Sequence, residues 1–149
     1  MEKILMAKDA ISTIGGIFGG MIAVAFGGWS EGLTTLLILM IIDYISGLVV
    51  AGLFKASPKS ETGGLESRAG WKGLMRKVFT LLVVAVAYHI DVTLGTAYFM
   101  NAAIIGFIVN ELISLVENMG LMGVPMPKAI SKAIDVLTSK AEADEKAED

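Results

Sequence analysis

The chain contains no cysteine, which excludes disulfides, thiol catalysis and cysteine-ligated metals. Its one histidine, His89, has no nucleophile beside it, and neither a phosphate-binding glycine loop nor a metal-ligand spacing occurs. Asp91 lies close to His89, but positions i and i+2 do not share a helical face, so both read as interfacial polarity at a helix end. No catalytic residue, metal or cofactor is expected. Charge is scarce as well: 18% of residues are charged, against about a quarter in an ordinary soluble domain. A cleavage signal is also lacking. Polar Trp29-Ser30-Glu31 follows the first apolar run without a small-x-small site, so that run is expected to persist as an uncleaved helix.

Long apolar runs dominate instead, with 54% of the 149 residues hydrophobic. Four windows approach the 20 or so residues that a membrane helix needs: 11–29, 33–54, 75–94 and 98–116. The fold class read from them is an all-α integral membrane protein, a single membrane domain of about four transmembrane helices. The connectors after the first and third windows are short, which implies antiparallel hairpins. All 12 Lys and Arg fall in three groups. These are Lys3 and Lys8; Lys55, Lys59, Arg68, Lys72, Arg76 and Lys77; and Lys128, Lys132, Lys140 and Lys146. The connectors around Ser30 and Thr93 carry none. Because basic residues favour the cytoplasmic side, both termini are expected there, with Lys72, Arg76 and Lys77 as orienting charges. A three-span version would lay the glycine-rich first window in the interface.

The loop 55–74 contains Pro58 and the flexible stretch Glu61-Thr62-Gly63-Gly64. After Pro125 and Pro127, residues 127–140 read as a short amphipathic helix. Ile130, Ala133, Ile134 and Leu137 share a face flanked by Lys128, Lys132 and Lys140, which suits the inner membrane surface. The tail 141–149, with five carboxylates and one lysine, is expected to be disordered.

The polar residues inside the windows are the functional candidates. Asp43 sits near the middle of the second, where an unpaired carboxylate costs at least a few kcal/mol. It shares a face with Ser46 and Gly47, and reads either as a helix-locking hydrogen bond or as a pore or assembly switch. The first window carries two overlapping small-xxx-small pairs, Gly15/Gly19 and Gly16/Gly20, which suit close helix approach within or between subunits. In the fourth window, Ala103, Gly106, Phe107, Asn110, Glu111, Ser114, Glu117 and Asn118 fall within an arc of roughly 140°. The opposite face, which includes Ile104, Ile105, Ile108 and Leu112, suits lipid. The candidate polar or pore-lining set is therefore Asp43, Asn110, Glu111, Ser114 and Glu117. In a resting subunit the arc is expected to face other helices. Asp43 is then a candidate partner for Glu111, with one carboxyl protonated to avoid like-charge repulsion.

Three blocks in order resemble a bacteriophage holin family, the toxin secretion/phage lysis holins. The run ending Asp43-Tyr44-Ile45-Ser46-Gly47 resembles that family's D-Y-[IL]-[ST]-G helix. Gly70-Trp71-Lys72-Gly73-Leu74-Met75-Arg76-Lys77 resembles its S-x-x-G-x-x-G-[LI]-x-[KR]-K start of the next helix, and Tyr88-His89-Ile90-Asp91 its [AY]-[HY]-x-[LI]-D helix end. The likeness covers roughly residues 25–120 and departs from the pattern in a longer loop, with an insertion at about 58–66. It implies a homo-oligomer in the host cytoplasmic membrane that forms large lesions at a set time. The lesions release an endolysin, which needs no direct contact, or in some relatives a toxin. Nucleic acid is not an expected partner. Some family members use paired starts to make an inhibitory antiholin. A start at Met6 would skip Glu2 and Lys3, whose charges cancel, so an electrostatic inhibitor has little to act on here. Two other readings stand beside the holin: a small ion channel or transporter using Asp43 and Glu111, and a scaffold subunit of a membrane complex.

Overall fold

In lipid, backbone N–H and C=O groups must be satisfied within their own segment, so long apolar runs fold as helices. The computed structural model describes residues 2–146, and every regular element among them is helical. Helix α1 spans Glu2–Phe26, α2 Glu31–Val49, α3 Ser67–Leu94, α4 Phe99–Leu121 and α5 Lys128–Lys146. A π-helical turn, Val50–Phe54, prolongs α2. Four helices are long and apolar enough to cross a membrane: α1, α2 with its π turn, α3 and α4.

Local chemistry marks the helix ends. The Ser30 hydroxyl caps α2 by accepting the Leu33 N–H at 3.2 Å. Lys55, in the left-handed region at φ 48°, ends the π turn. Gly95 closes α3 at φ 69°. Helix α3 begins eight residues before the expected position 75, so the loop is 55–66 rather than 55–74. Helix α4 runs five residues beyond 116. Both extensions add polar turns that hydropathy alone does not count as membrane span.

Helix α2 is the centre of the bundle. Leu33, Leu36, Met40, Asp43, Ser46 and Val50 are buried, at steps of three and four residues that form one helical stripe. Leu36 and Met40 join Val84 of α3 and Ile104, Ile108 and Leu112 of α4 in the apolar core. The α4 face expected to meet lipid is thus partly core. At roughly 100° per residue, the packed face of α4 is centred between the polar arc and the apolar face, so it takes Glu111 and Asn118 from one and Ile104, Ile108 and Leu112 from the other.

Two further expectations change. Helices α1 and α2 do not pack as a hairpin; α1 touches α3 instead. Only Ile22, Ala25 and Phe26 of α1 are even half-buried among its described side chains. There the chain passes so close to α3 that a Cβ on Gly27, at φ 72°, would collide with the Tyr88 ring. Helix α5 does not stand apart on a surface: it packs on α4, with Ile134 and Leu137 against the apolar core. It also continues past Lys140 through Lys146, so most of the tail expected to be disordered is helical, while residues 147–149 lie outside the described part.

Candidate functional site

The intramembrane acids meet around a lysine. Lys77 Nζ donates to Asp43 Oδ2 at 2.9 Å and to Glu111 Oε2 at 2.5 Å, which ties α2, α3 and α4 together in one layer. The three side chains keep only 14%, 9% and 12% of their surface, so the pairs are largely shielded from solvent. Lys77 therefore does more than orient the chain, whereas Lys72 and Arg76 remain exposed. An ammonium thus stands between the two acids and offsets their like-charge repulsion.

The second oxygen of Asp43 is also occupied. Asn118 Nδ2 donates to Asp43 Oδ1 at 3.0 Å and to Ser46 Oγ at 2.8 Å, and the Ser46 hydroxyl donates to the Asp43 carbonyl at 2.9 Å. Gly47 faces the same seam, where a Cβ would lie in ordinary contact 3.8 Å from Asn118 Nδ2. Ser46 and Gly47 thus sit in the α2–α4 seam inside the subunit. Satisfying each buried polar atom matters, because an orphaned one costs about 1–3 kcal/mol.

A cleft of about 290 Å³ opens beside the network. Asp43, Asn110, Glu111, Ser114 and Glu117 all line it, together with Lys59, Arg76, Lys77 and the loop residues Ser57 and Glu66. The polar arc of α4 is split: Glu111 and Asn118 turn toward α2 and α3, while Asn110 and Glu117 stay exposed. The loop folds over the cleft mouth. The Ser57 N–H donates to the Gly63 carbonyl at 2.9 Å, and Lys59 Nζ reaches Ser114 Oγ at 3.5 Å. Lys59 and Lys77 thereby bring two positive charges to a cleft whose innermost acids carry two negative ones.

The remaining sequence candidates lie elsewhere. Around Gly15, Gly16, Gly19 and Gly20 no atom of another segment lies within 4 Å of a Cβ position among the described residues, so this face of α1 packs on none of them. His89 is exposed and meets the Tyr88 ring edge-on at 5.1 Å. Asp91 is buried, and its oxygens accept the N–H groups of Tyr98, Phe99 and Met100 at 2.8–3.0 Å and the Thr96 hydroxyl at 2.6 Å. It caps α4 from the end of α3, satisfying N–H groups that a helix start otherwise leaves unpaired.

Reading the sequence alone missed the pairing role of Lys77, the contact of Asn118 with Asp43 and the capping role of Asp91. A signal existed for the first: Lys77 is the most interior of the central basic group, next to an apolar run. For Asp91, the cue was its place just before a tight connector to the next helix.

Comparison with known proteins gives a consistent grouping. Residues 20–139 match the family model described as "Bacteriophage holin family". A protein of Halalkalibacterium halodurans is 40% identical over 127 residues, covering 81% of this chain and 88% of the relative. A Listeria monocytogenes protein is 36% identical over 150 residues, covering 100% and 97%. A protein of Bacillus phage phi105 named "Probable holin" is 36% identical over 120 residues, covering 77% and 83%. No solved structure matches the chain.

Proposed function

Because this chain belongs to the bacteriophage holin family, we propose that it acts as a holin, oligomerising in a bacterial cytoplasmic membrane into lesions large enough to release an endolysin or a toxin. The observation that carries the reading is α1. It is a membrane-length helix whose glycine face meets no neighbour among the described residues, which suits close approach to a second copy. The sorting of Lys and Arg favours both termini on the cytoplasmic side. The cleft, with Lys77 between its two innermost acids, gives a reason for a quiet subunit and an active assembly. In lipid Asp43 and Glu111 are paired with Lys77; beside water, Asn110, Ser114 and Glu117 gain hydration. A small cation channel built on Asp43 and Glu111 is less favoured, since Lys77 already occupies the space between them.

The test is induced expression in a bacterium with and without a cytoplasmic muralytic enzyme. A holin gives abrupt lysis with the enzyme and lets folded protein cross the membrane. Slow ion leakage with retention of protein would favour the channel, and neither effect would favour a scaffold subunit.

A further inference from the structure

The cleft beside Asp43, Lys77 and Glu111 carries two cations that this network does not use. Lys59 and Arg76 both line it, and neither makes an ion pair among the described residues. They arrive from different elements. Lys59 comes from the 55–66 loop, where its Nζ donates to Ser114 Oγ at 3.5 Å, and Arg76 comes from α3. The lining carboxylates are engaged or set further out. Lys77 takes Asp43 and Glu111, and Glu66 Oε1 accepts the Thr62 N–H and hydroxyl at 3.2 and 2.9 Å. Glu117 lies beyond Glu111, about 9 Å further along α4 toward its end. A guanidinium and an ammonium converging on one cleft form a donor set suited to phosphate, because both make their strongest hydrogen bonds to an oxyanion.

The cleft also has a lipid side. Arg76 follows Met75, where the apolar run of α3 begins, so the mouth lies at the level of the head groups. The floor is deeper. Asp43 lies roughly 16 Å before the end of the span Glu31–Phe54. Between α2 and α3 the wall is largely apolar. Gly70 and Gly73 bring no side chain, and their Cβ positions meet Tyr44 at 3.6 and 3.8 Å. Beside Tyr44, Leu48 lines the cleft and opens onto Ile45 and Ile41, at steps of three and four residues that make one stripe along α2. All three are exposed, so nothing in the subunit covers the path from the cleft into the span. A soluble anion would leave this stripe unused, and an uncharged lipid would leave the two cations unused. A phosphodiester carrying acyl chains uses both.

We propose that the cleft, about 290 Å³ in volume, seats one phospholipid from the leaflet that meets the 55–66 loop. Its phosphate lies between Arg76 and Lys59, and one acyl chain runs along Leu48, Ile45 and Ile41. Ser114 and Asn110, on the same cleft, add hydrogen-bonding groups beside the head. The site needs a single subunit, so it goes beyond the holin reading and stands whether or not assembled copies open a lesion.

Native mass spectrometry of the full chain, delipidated in mild detergent, tests this. The probes are phosphatidylglycerol, an uncharged diglucosyl diacylglycerol with the same chains, and inorganic phosphate. One phosphatidylglycerol per subunit is expected to remain bound, with the diglucosyl lipid retained at least about ten-fold less. Excess inorganic phosphate is expected to leave the bound lipid in place; displacement of the lipid by phosphate would make this a soluble-anion site and overturn the proposal. Arg76→Gln with Lys59→Gln should lower phosphatidylglycerol retention by about ten-fold. Arg68→Gln with Lys72→Gln removes the same charge from exposed positions outside the cleft and should keep retention within about two-fold. Equal losses from the two pairs would reduce the effect to general attraction between a basic protein surface and an anionic lipid. Leu48→Trp keeps every charge but fills the start of the chain path, and should also weaken retention. Full retention by Leu48→Trp, or equal retention of the phosphate-bearing and uncharged lipids by the unaltered chain, would overturn the proposal.

Discussion

Replacing Lys77 by methionine removes the cation that both Asp43 and Glu111 contact while keeping much of the side-chain volume. The loss therefore measures charge rather than a cavity. Removing one partner of a buried ion pair costs about 3–5 kcal/mol. Three features hold this case to the lower end. Asn118 still donates to Asp43 Oδ1, Lys59 still stands at the cleft mouth, and both carboxyls still line an open cleft. The expected loss is about 3 kcal/mol, or roughly two powers of ten in the folding equilibrium. Titration of the purified protein from mild detergent into dodecyl sulfate, followed by circular dichroism, reads it directly. The control is Lys72→Met on the exposed side of α3, which should change stability by less than about 0.5 kcal/mol. The triple variant Asp43→Asn, Lys77→Met, Glu111→Gln should recover most of the loss, since neutral groups leave no buried charge uncompensated. If Lys77→Met costs no more than Lys72→Met, or if the triple variant is as unstable as Lys77→Met alone, charge compensation is not what Lys77 contributes.

Four other outcomes follow from the same physics. Asp43→Asn and Glu111→Gln should each shift the onset of lysis in a timed induction, whereas Ile108→Val, in the core, should lower stability by only about 0.5–1.5 kcal/mol and leave timing alone. Gly16→Leu with Gly20→Leu should leave insertion and subunit stability unchanged, because none of the described residues packs near those positions, but should shorten chemical crosslinking ladders and delay lysis; unchanged ladders would limit the glycines to local packing. Asp91→Ala removes acceptors for three backbone N–H groups at the start of α4 and should cost at least about 1–2 kcal/mol in the detergent titration, with Asp91→Asn in between. Cysteines at Ser30 and Thr93 should react with an impermeant thiol reagent added outside intact cells; labelling of Ser30 from the inside alone would sink the four-span topology and favour three spans.

The features legible in the sequence are those set by a few consecutive residues. The four spans were readable because apolar length is a local property and the bilayer imposes a minimum run. The polar set Asp43, Asn110, Glu111, Ser114 and Glu117 was readable because carboxylates and amides stand out against such runs, and the structure brings all five to one cleft. The environment of each was less readable. An arc computed from an ideal helix gives which residues are neighbours, not how the helix is rotated, so Glu111 and Ile108 share a packed face although one belongs to the polar arc and the other to the apolar side.

An all-helical, multi-pass protein of the holin family, with its charges sorted between loops and its acids inside the spans, is legible in the order of the residues alone. Packing between distant helices sets the rest: Lys77 stands between Asp43 and Glu111, 34 residues from each, α1 packs on α3 rather than on its sequence neighbour α2, and α5 folds back onto α4. The physical reason is that an apolar run states how deep a helix sits, whereas rotation, partner and pairing depend on interdigitation with helices distant in the chain. Lys77 illustrates both sides. Its charge marks it for the membrane edge, but its reach along α3 and the two carboxylates facing it draw it into the bundle, where pairing offsets the loss of water.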